Sequence, residues 1–400
     1  MQPLSFLPSP GYAIIYSRNP GGSVSWLLFA LGLAALTYQV LALISMSRFF
    51  RTSPLSGPAS GPGITVFKPV KGVDAFTREC LESFFIQDYR PYQVLFGVDA
   101  PRDPAIPLLE DLQRAHPQVH AEIIVCPQSL GANNKVSKLL QMEPRAGYDI
   151  LVISDADVQA GPDFLSRAAA ALKEPGAGLV TFPYRAAWAP TLGGALEALT
   201  IAGDFIPSVA VAYYLEGVRF ALGAAMVLPR KVLAEIGGLA VLADYLADDY
   251  QLGRRVAQAG HRVRLIPYVV ETRNQISRFQ DYLSHQLRWA RTYRVCRPKG
   301  YLAYGVTHAL AYSGLFALAQ GPTLPAIALL AAVLWVRGWL AYLSQTVWLR
   351  GELSPMALLL LPLKDLLAFG LWVLSFLGNR VTWGGRSFRV TQEGKLVLEE

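Results

Sequence analysis

Residues 24–46 carry no charge over a length that crosses a bilayer as a helix. Three further apolar stretches, 301–320, 323–349 and 355–377, lie towards the other end of the chain. In hydrocarbon every backbone polar group must be paired within its own segment, so such stretches can only be helices. The chain is therefore read as a polar domain tied to a membrane at both ends. Composition agrees only when divided this way. Hydrophobic residues make up 52% of the chain and charged ones 16%, with the apolar excess concentrated in these stretches.

Flanking charge gives an orientation. Arg48 and Arg51 follow the first stretch and only Arg18 precedes it, which places the N-terminus outside and residue 51 in the cytoplasm. "RTYRVCRPK" before the second stretch also reads as cytoplasmic. Three crossings after it would leave the C-terminus outside, yet "NRVTWGGRSFR" is basic and reads as cytoplasmic. Lys364 and Asp365 make the last stretch a candidate re-entrant or interfacial segment. The net charge of +7 needs no nucleic acid, because much of it flanks membrane segments and would face anionic headgroups. Cys80, Cys126 and Cys296 have no paired spacing, which predicts neither disulfides nor a zinc site.

The expected division is a membrane anchor at 1–51, a Pro/Ser/Gly linker at 52–63, a globular domain at 64–280 and an interfacial helix at 281–300. Membrane helices at 301–380 and a basic tail at 381–400 complete it. Within the domain, "ITVFKPV", "YQVLFGVD", "AEIIVC" and "DILVISDAD" read as strands, and 77–87, 105–115 and 134–141 as helices. Such alternation predicts an α/β fold with a doubly wound, parallel sheet, whose ligands bind beyond the carboxyl ends of the strands.

The candidate residues gather at those ends. Asp99 and Asp103 follow the second strand and either accept hydrogen bonds from a ribose or base edge, or serve a turn. "GANNKVSKLL" places Gly131, Asn133 and Lys135 at a helix N-terminus, an anion site or an ordinary capped helix. It lacks the pattern of a nucleoside-triphosphatase loop. Asp155 and Asp157 project to one side of a strand end and would repel unless a cation joins them, Mg2+ or Mn2+ by preference. The alternative is a solvated turn. Asp248 and Asp249 open a helix, where the dipole favours acids in any case; as a functional pair they offer a general base. "HQLRWARTYRVCR" presents arginines every third residue beside Trp289, the pattern of an interfacial helix.

As an ordered set, "KPVKGVD", "DPAI", the G-x-N-x-K loop, "DAD", "GGL…ADDY" and the Arg288–Trp289 pair resemble the ceramide glucosyltransferase family, over about residues 64–295. "WGGRSFR" is similar to that family's tail. The resemblance implies a GT-A nucleotide-sugar-binding domain with a mixed, mostly parallel sheet, flanked by N- and C-terminal membrane helices. It further implies inverting transfer of a hexose, glucose by default, from a UDP-sugar to a membrane lipid such as ceramide. Transfer of N-acetylglucosamine to a hopanoid lipid is the alternative, since bacterial relatives include transferases that add a sugar to such lipids; the expected location is a bacterial inner membrane with the domain in the cytoplasm. Asp99 and Asp103 would meet the uridine, with Lys68 and Asn133 in the same substrate-binding set. Lys135 would help hold the nucleotide, Asp155 and Asp157 the metal and diphosphate. Asp249, with Asp248 beside it, would be the base. Arg288 and Trp289 match the end of the Q/R-x-x-R-W motif, whose first position is here His285. The family's animal members carry a histidine in the region corresponding to "AGDFIPSVAV"; this chain has none. That region, 195–215, is apolar around Glu197 and Asp204 and reads as a surface helix or loop admitting lipid, or as a buried core helix. Few membrane stretches speak against a processive polysaccharide synthase, and the acidic set against a non-catalytic nucleotide-sugar sensor.

Overall fold

Strands and helices alternate through the domain as expected, and the sheet they build is mixed. The computed structural model describes residues 22–52, 56–187, 189–273, 276 and 278–399. Arg18, used in the charge comparison, and linker residues 53–55 lie outside the described residues. A long helix α1 (Ser23–Arg51) precedes β1 (Ser60–Pro69), α2 (Thr77–Glu82), β2 (Arg90–Val98), α3 (Ala105–Ala115), β3 (His120–Val125), α4 (Asn134–Met142) and β4 (Ile150–Ser154). Then come β5 (Val158–Gln159), α5 (Phe164–Leu172), β6 (Ala177–Thr181), β7 (Tyr184–Ala186), α6 (Leu192–Thr200), α7 (Ile206–Leu215) and β8 (Ala225–Pro229). The domain closes with α8 (Arg230–Glu235), α9 (Asp248–Gln258), β9 (Arg262–Leu265), β10 (Val270–Thr272) and α10 (Phe279–Cys296).

Seven strands form the main sheet in the order β3-β2-β1-β4-β8-β6-β9. β3, β2, β1 and β4 are parallel; β8 runs antiparallel to both β4 and β6, and β9 is parallel to β6. Helices cover the parallel half, which is why β1 and β2 are buried as continuous runs with no alternation. α3 shows how: Ala105, Leu109 and Leu112, four and three residues apart, form its buried face. Two expected boundaries shift. The helix expected over 77–87 stops at Glu82, because Phe84 and Phe85 must both turn into the core. The last linker residues join β1, where Ser60 pairs with Arg90. A small sheet, β5-β10-β7, lies beyond the carboxyl end of β4.

The membrane part comprises α1, α11 (Pro298–Tyr304), α12 (Ala309–Gln320), α13 (Leu324–Leu343) and α14 (Leu361–Ser375). Small residues on α1 let its neighbours approach: a Cβ on Gly32 would lie 2.8 Å from Leu329 of α13. By length and composition Ser23–Arg51, Leu192–Leu215, Leu324–Trp348 and Pro355–Ser375 are each apolar enough to cross a membrane; α11 and α12 pass the same test together but are bent by 51°. Leu192–Leu215 differs from the other three in being 78% buried. It is wedged between the domain and α1, so it is a helix, broken by a π-turn at Ile201–Phe205, that is both a core element and a neighbour of the membrane bundle. Lys364 and Asp365 are buried with Arg337 of α13 and Asp204 of that π-turn; Arg337 Nη2 lies 2.9 Å and Lys364 Nζ 2.7 Å from Asp365 Oδ1. Four charges thus neutralise one another among apolar helices.

The basic tail is folded. β11 (Arg380–Trp383), β12 (Arg386–Val390) and β13 (Leu396–Leu398) form an antiparallel meander. Gly384 and Gly385, at φ 60° and 81°, make the tight turn that β-carbons disfavour. Val381, Phe388, Val390 and Leu396 pack on Leu246, and Tyr245 bridges to Lys395. The tail is thus packed against the domain through Leu246 and Tyr245.

Candidate active site

β4 ends at Ser154, and the next three residues turn to start β5. Lys68 underpins this turn from the end of β1. Its Nζ, buried over the Phe84 ring at 4.1 Å, donates to the Asp155 carbonyl at 2.6 Å and the Val158 carbonyl at 3.1 Å. Burial pulls the Lys68 amine down to about 8, against the pull of Cys80, Asp157 and Asp155. It shapes the acidic turn from beneath and does not line the cavity above it. Lys68→Met removes this donor from the Val158 carbonyl and leaves the Asp155 carbonyl only the longer bond from Val158 N at 3.2 Å; thermal unfolding is expected to show a loss of about 1–3 kcal/mol.

Above the turn, Lys135 Nζ lies 2.6 Å from Asp155 Oδ1 and 3.4 Å from Asp248 Oδ2. Burial alone would lower this amine, but Asp155 and Asp248 raise it above its ordinary value. Asn133 orders the loop: its side chain accepts from Val136 N, capping α4, and donates to the Tyr245 carbonyl at 2.8 Å and to Asp248 Oδ1 at 3.4 Å. Asp249 sits at the start of α9, and burial, then repulsion from Asp248, raises its carboxyl to about 7. A Cβ at Gly223 would come 2.8 Å from Asp249 Oδ2, so the glycine makes room for the carboxylate. Burial, then Asp155, raises Asp157 to about 6. Among the described residues no three His, Cys, Asp or Glu side chains are grouped as a metal cage. The pair Asp155 and Asp157 nevertheless fits a Mg2+ or Mn2+ ion that takes its remaining ligands from water and substrate oxygens, and a cation would relieve their repulsion.

Asp99 and Asp103 stand apart from this cavity. Asp99 is 3.0 Å from Lys138 Nζ and accepts from Asn134 Nδ2, and Asp103 accepts from Gly72 N and Ala105 N. Asp103 thus makes the turn contacts open to it, while Asp99 keeps a partly open carboxylate at the end of β2.

α10 closes the opposite side. Trp289 packs among Phe205, His285 and Tyr293, and Arg288 faces inward with no carboxylate at ion-pair distance among the described residues. Burial lowers the Arg288 pKa, with Tyr293, Glu197 and Asp249 countering. The structure thus brings Lys135, Asp155, Asp157, Asp248, Asp249, His285, Arg288 and Trp289 around one cavity of about 930 Å3. The cavity continues past Phe205 to Tyr38 of α1, Tyr304 of α11 and Trp372 of α14. Glu197 also lines it, as a partner of His285 and Gln286 that spacing along the chain gave no means of pairing. The signal was a lone carboxylate inside an apolar run.

The profile described as "Glycosyl transferase family 21" matches residues 27–396, from the first membrane helix to the C-terminal sheet. The chain belongs to glycosyl transferase family 21. Relatives of this family-21 chain include Ceramide glucosyltransferase 3 of Caenorhabditis elegans, 23% identical over 389 residues, 90% of this chain and 79% of that one. Ceramide glucosyltransferase 1 of the same organism is 28% identical over 209 residues, 50% of this chain and 43% of that one. The ceramide glucosyltransferase of Komagataella phaffii is 33% identical over 150 residues, 35% and 30% of the two chains. The chain therefore spans less than half the length of the last two. Among solved structures, the mannosyltransferase PcManGT of Pyrobaculum calidifontis, determined with GDP-Man and Mn2+, aligns with a TM-score of 0.50 at 17% identity. The alignment covers 88% of the family-21 chain and 99% of that one. This likeness shows the GT-A-type glycosyltransferase fold. The family-21 chain thus joins that fold to several helices long and apolar enough to cross a membrane.

Proposed function

We propose that the protein is an inverting transferase that moves a hexose, glucose first, from a UDP-sugar to a hydroxyl of a membrane lipid such as ceramide. One observation carries this reading: a single cavity joins the carboxylate–lysine cluster beyond β4 to the apolar walls of α1, α11 and α14. A water-soluble donor and a lipid acceptor can then meet without either leaving its own phase. The names of the relatives support the lipid class and the sugar.

In this reading Asp249 takes the proton of the acceptor hydroxyl as its oxygen attacks the anomeric carbon. The bond from that carbon to the diphosphate oxygen breaks, and UDP leaves with the electron pair. A carboxyl raised to about 7 is suited to this task near neutral pH. Asp155 and Asp157 would hold a Mg2+ or Mn2+ ion, which offsets charge on the departing diphosphate when bound. Lys135, bridging Asp155 and Asp248, couples that end of the site to the base. Arg288, with no carboxylate at ion-pair distance among the described residues, would meet diphosphate oxygens, and Trp289 sets its surroundings. Asp99, still partly open at the end of β2, is the nucleoside contact we favour. The domain faces the cytoplasm of a bacterial inner membrane.

The test is to incubate the protein in detergent with UDP-glucose and UDP-N-acetylglucosamine against ceramide and a hopanoid polyol, and to identify products by mass spectrometry. A lipid carrying one added hexose is expected. Chains of several sugars would favour a synthase, and binding without any transfer a sensor.

A further inference from the structure

Resting on that reading, we propose that Glu197, His285 and Gln286 form the head-group site of the acceptor, selecting lipids that carry hydrogen-bond donors besides the hydroxyl that receives the sugar. Glu197 lies on α6, within an apolar helical run, and its side chain is 6% exposed. A carboxylate is costly there unless donors meet it. Those present come from α10: Gln286 Nε2 donates to Glu197 Oε2 at 2.6 Å, and His285 Nδ1 stands 3.0 Å from Oε1. The second contact is out of line for a hydrogen bond, and His285 Nδ1 is buried without one among the described residues. An ionised carboxylate has about four acceptor positions. Among the described residues one is filled in good geometry, by Gln286, and the group borders the cavity.

The site is also placed for the task. Glu197 and Asp249 line the same cavity, together with Arg288, Tyr184 and Tyr293. A lipid whose reacting hydroxyl reaches Asp249 would bring a neighbouring N–H or O–H towards Glu197, with its apolar chains running on past Phe205 to α14. An amide with a second hydroxyl, or a polyol, supplies such donors; a lipid with one hydroxyl and ester carbonyls does not. Loss of a hydrogen bond to a charged group corresponds to about tenfold or more.

The experiment compares kcat/KM for ceramide, a hopanoid polyol and diacylglycerol in wild type and Glu197→Gln, with UDP-glucose affinity and thermal unfolding measured in parallel. The wild type is expected to prefer one of the first two over diacylglycerol, and which one tells an amide from a polyol. Glu197→Gln is expected to narrow that preference at least about tenfold, through acceptor KM, with donor affinity kept. Gln286→Leu, expected to narrow it in the same direction, carries the test if Glu197→Gln does not fold. An equal loss for all three lipids, or no change, would overturn the site while leaving the transferase reading intact. Transfer to none of them by the wild type would overturn both.

Discussion

Asp249→Asn is expected to lower transfer by about a hundredfold to ten-thousandfold, the range for removal of a general base, with UDP-sugar affinity changed less than about threefold by the same reasoning. The amide keeps the shape of the carboxylate at the start of α9 and cannot take the acceptor's proton. Two further readouts follow from the carboxyl raised to about 7 by burial and by Asp248. In the wild type, kcat/KM should climb with pH through that value, as the base loses its proton. Stability should move the other way. A carboxyl raised above its ordinary 3.8 contributes stability fully below that pH and loses it as pH rises through about 7. Above pH 8 the neutral amide avoids this cost, so the inactive variant should melt higher than the wild type. Near-normal turnover in Asp249→Asn would remove the residue from its role; equal melting at pH 8 would remove the buried-charge explanation.

Stripping divalent ions is expected to cut activity at least about a hundredfold, several kcal/mol of charge stabilisation, with recovery on adding Mg2+ or Mn2+. Asp155→Asn and Asp157→Asn should each reproduce the loss and resist rescue. A second readout is the tightening of UDP binding by Mn2+, followed through the tryptophans that border the cavity, Trp289, Trp372 and Trp383. Wild-type protein should show it and both variants should not. Full activity after thorough chelation would assign diphosphate charge to Lys135 and Arg288 alone.

What the sequence disclosed was local. α3 has the bounds that its apolar spacing predicts, and the two aspartates of "DAD" follow directly on the strand end where alternation put them. What stayed hidden depends on partners far along the chain. β8 enters the sheet antiparallel between β4 and β6, a pairing that periodicity cannot encode. Lys68 reads as a ligand-binding lysine until the carbonyls of Asp155 and Val158 are found at its tip. Glu197 has no meaning until α10 lies against α6. The tail was the avoidable miss: two glycines between short alternating runs in "VTWGGRSFRV" already describe a hairpin.

The four charges shared by Asp204, Arg337, Lys364 and Asp365 bear on how the protein is made. Arg337 entering lipid on α13 would do so without its counterions, which is expensive, whereas Lys364 and Asp365 on α14 can pair with each other. The counterions come from three separate segments, one of them the π-turn beside the catalytic cavity. Docking of the last helices and placement of the π-turn are thereby coupled through shared charge: a misplaced π-turn would leave Arg337 and Lys364 with Asp365 as their one shared carboxylate in this cluster.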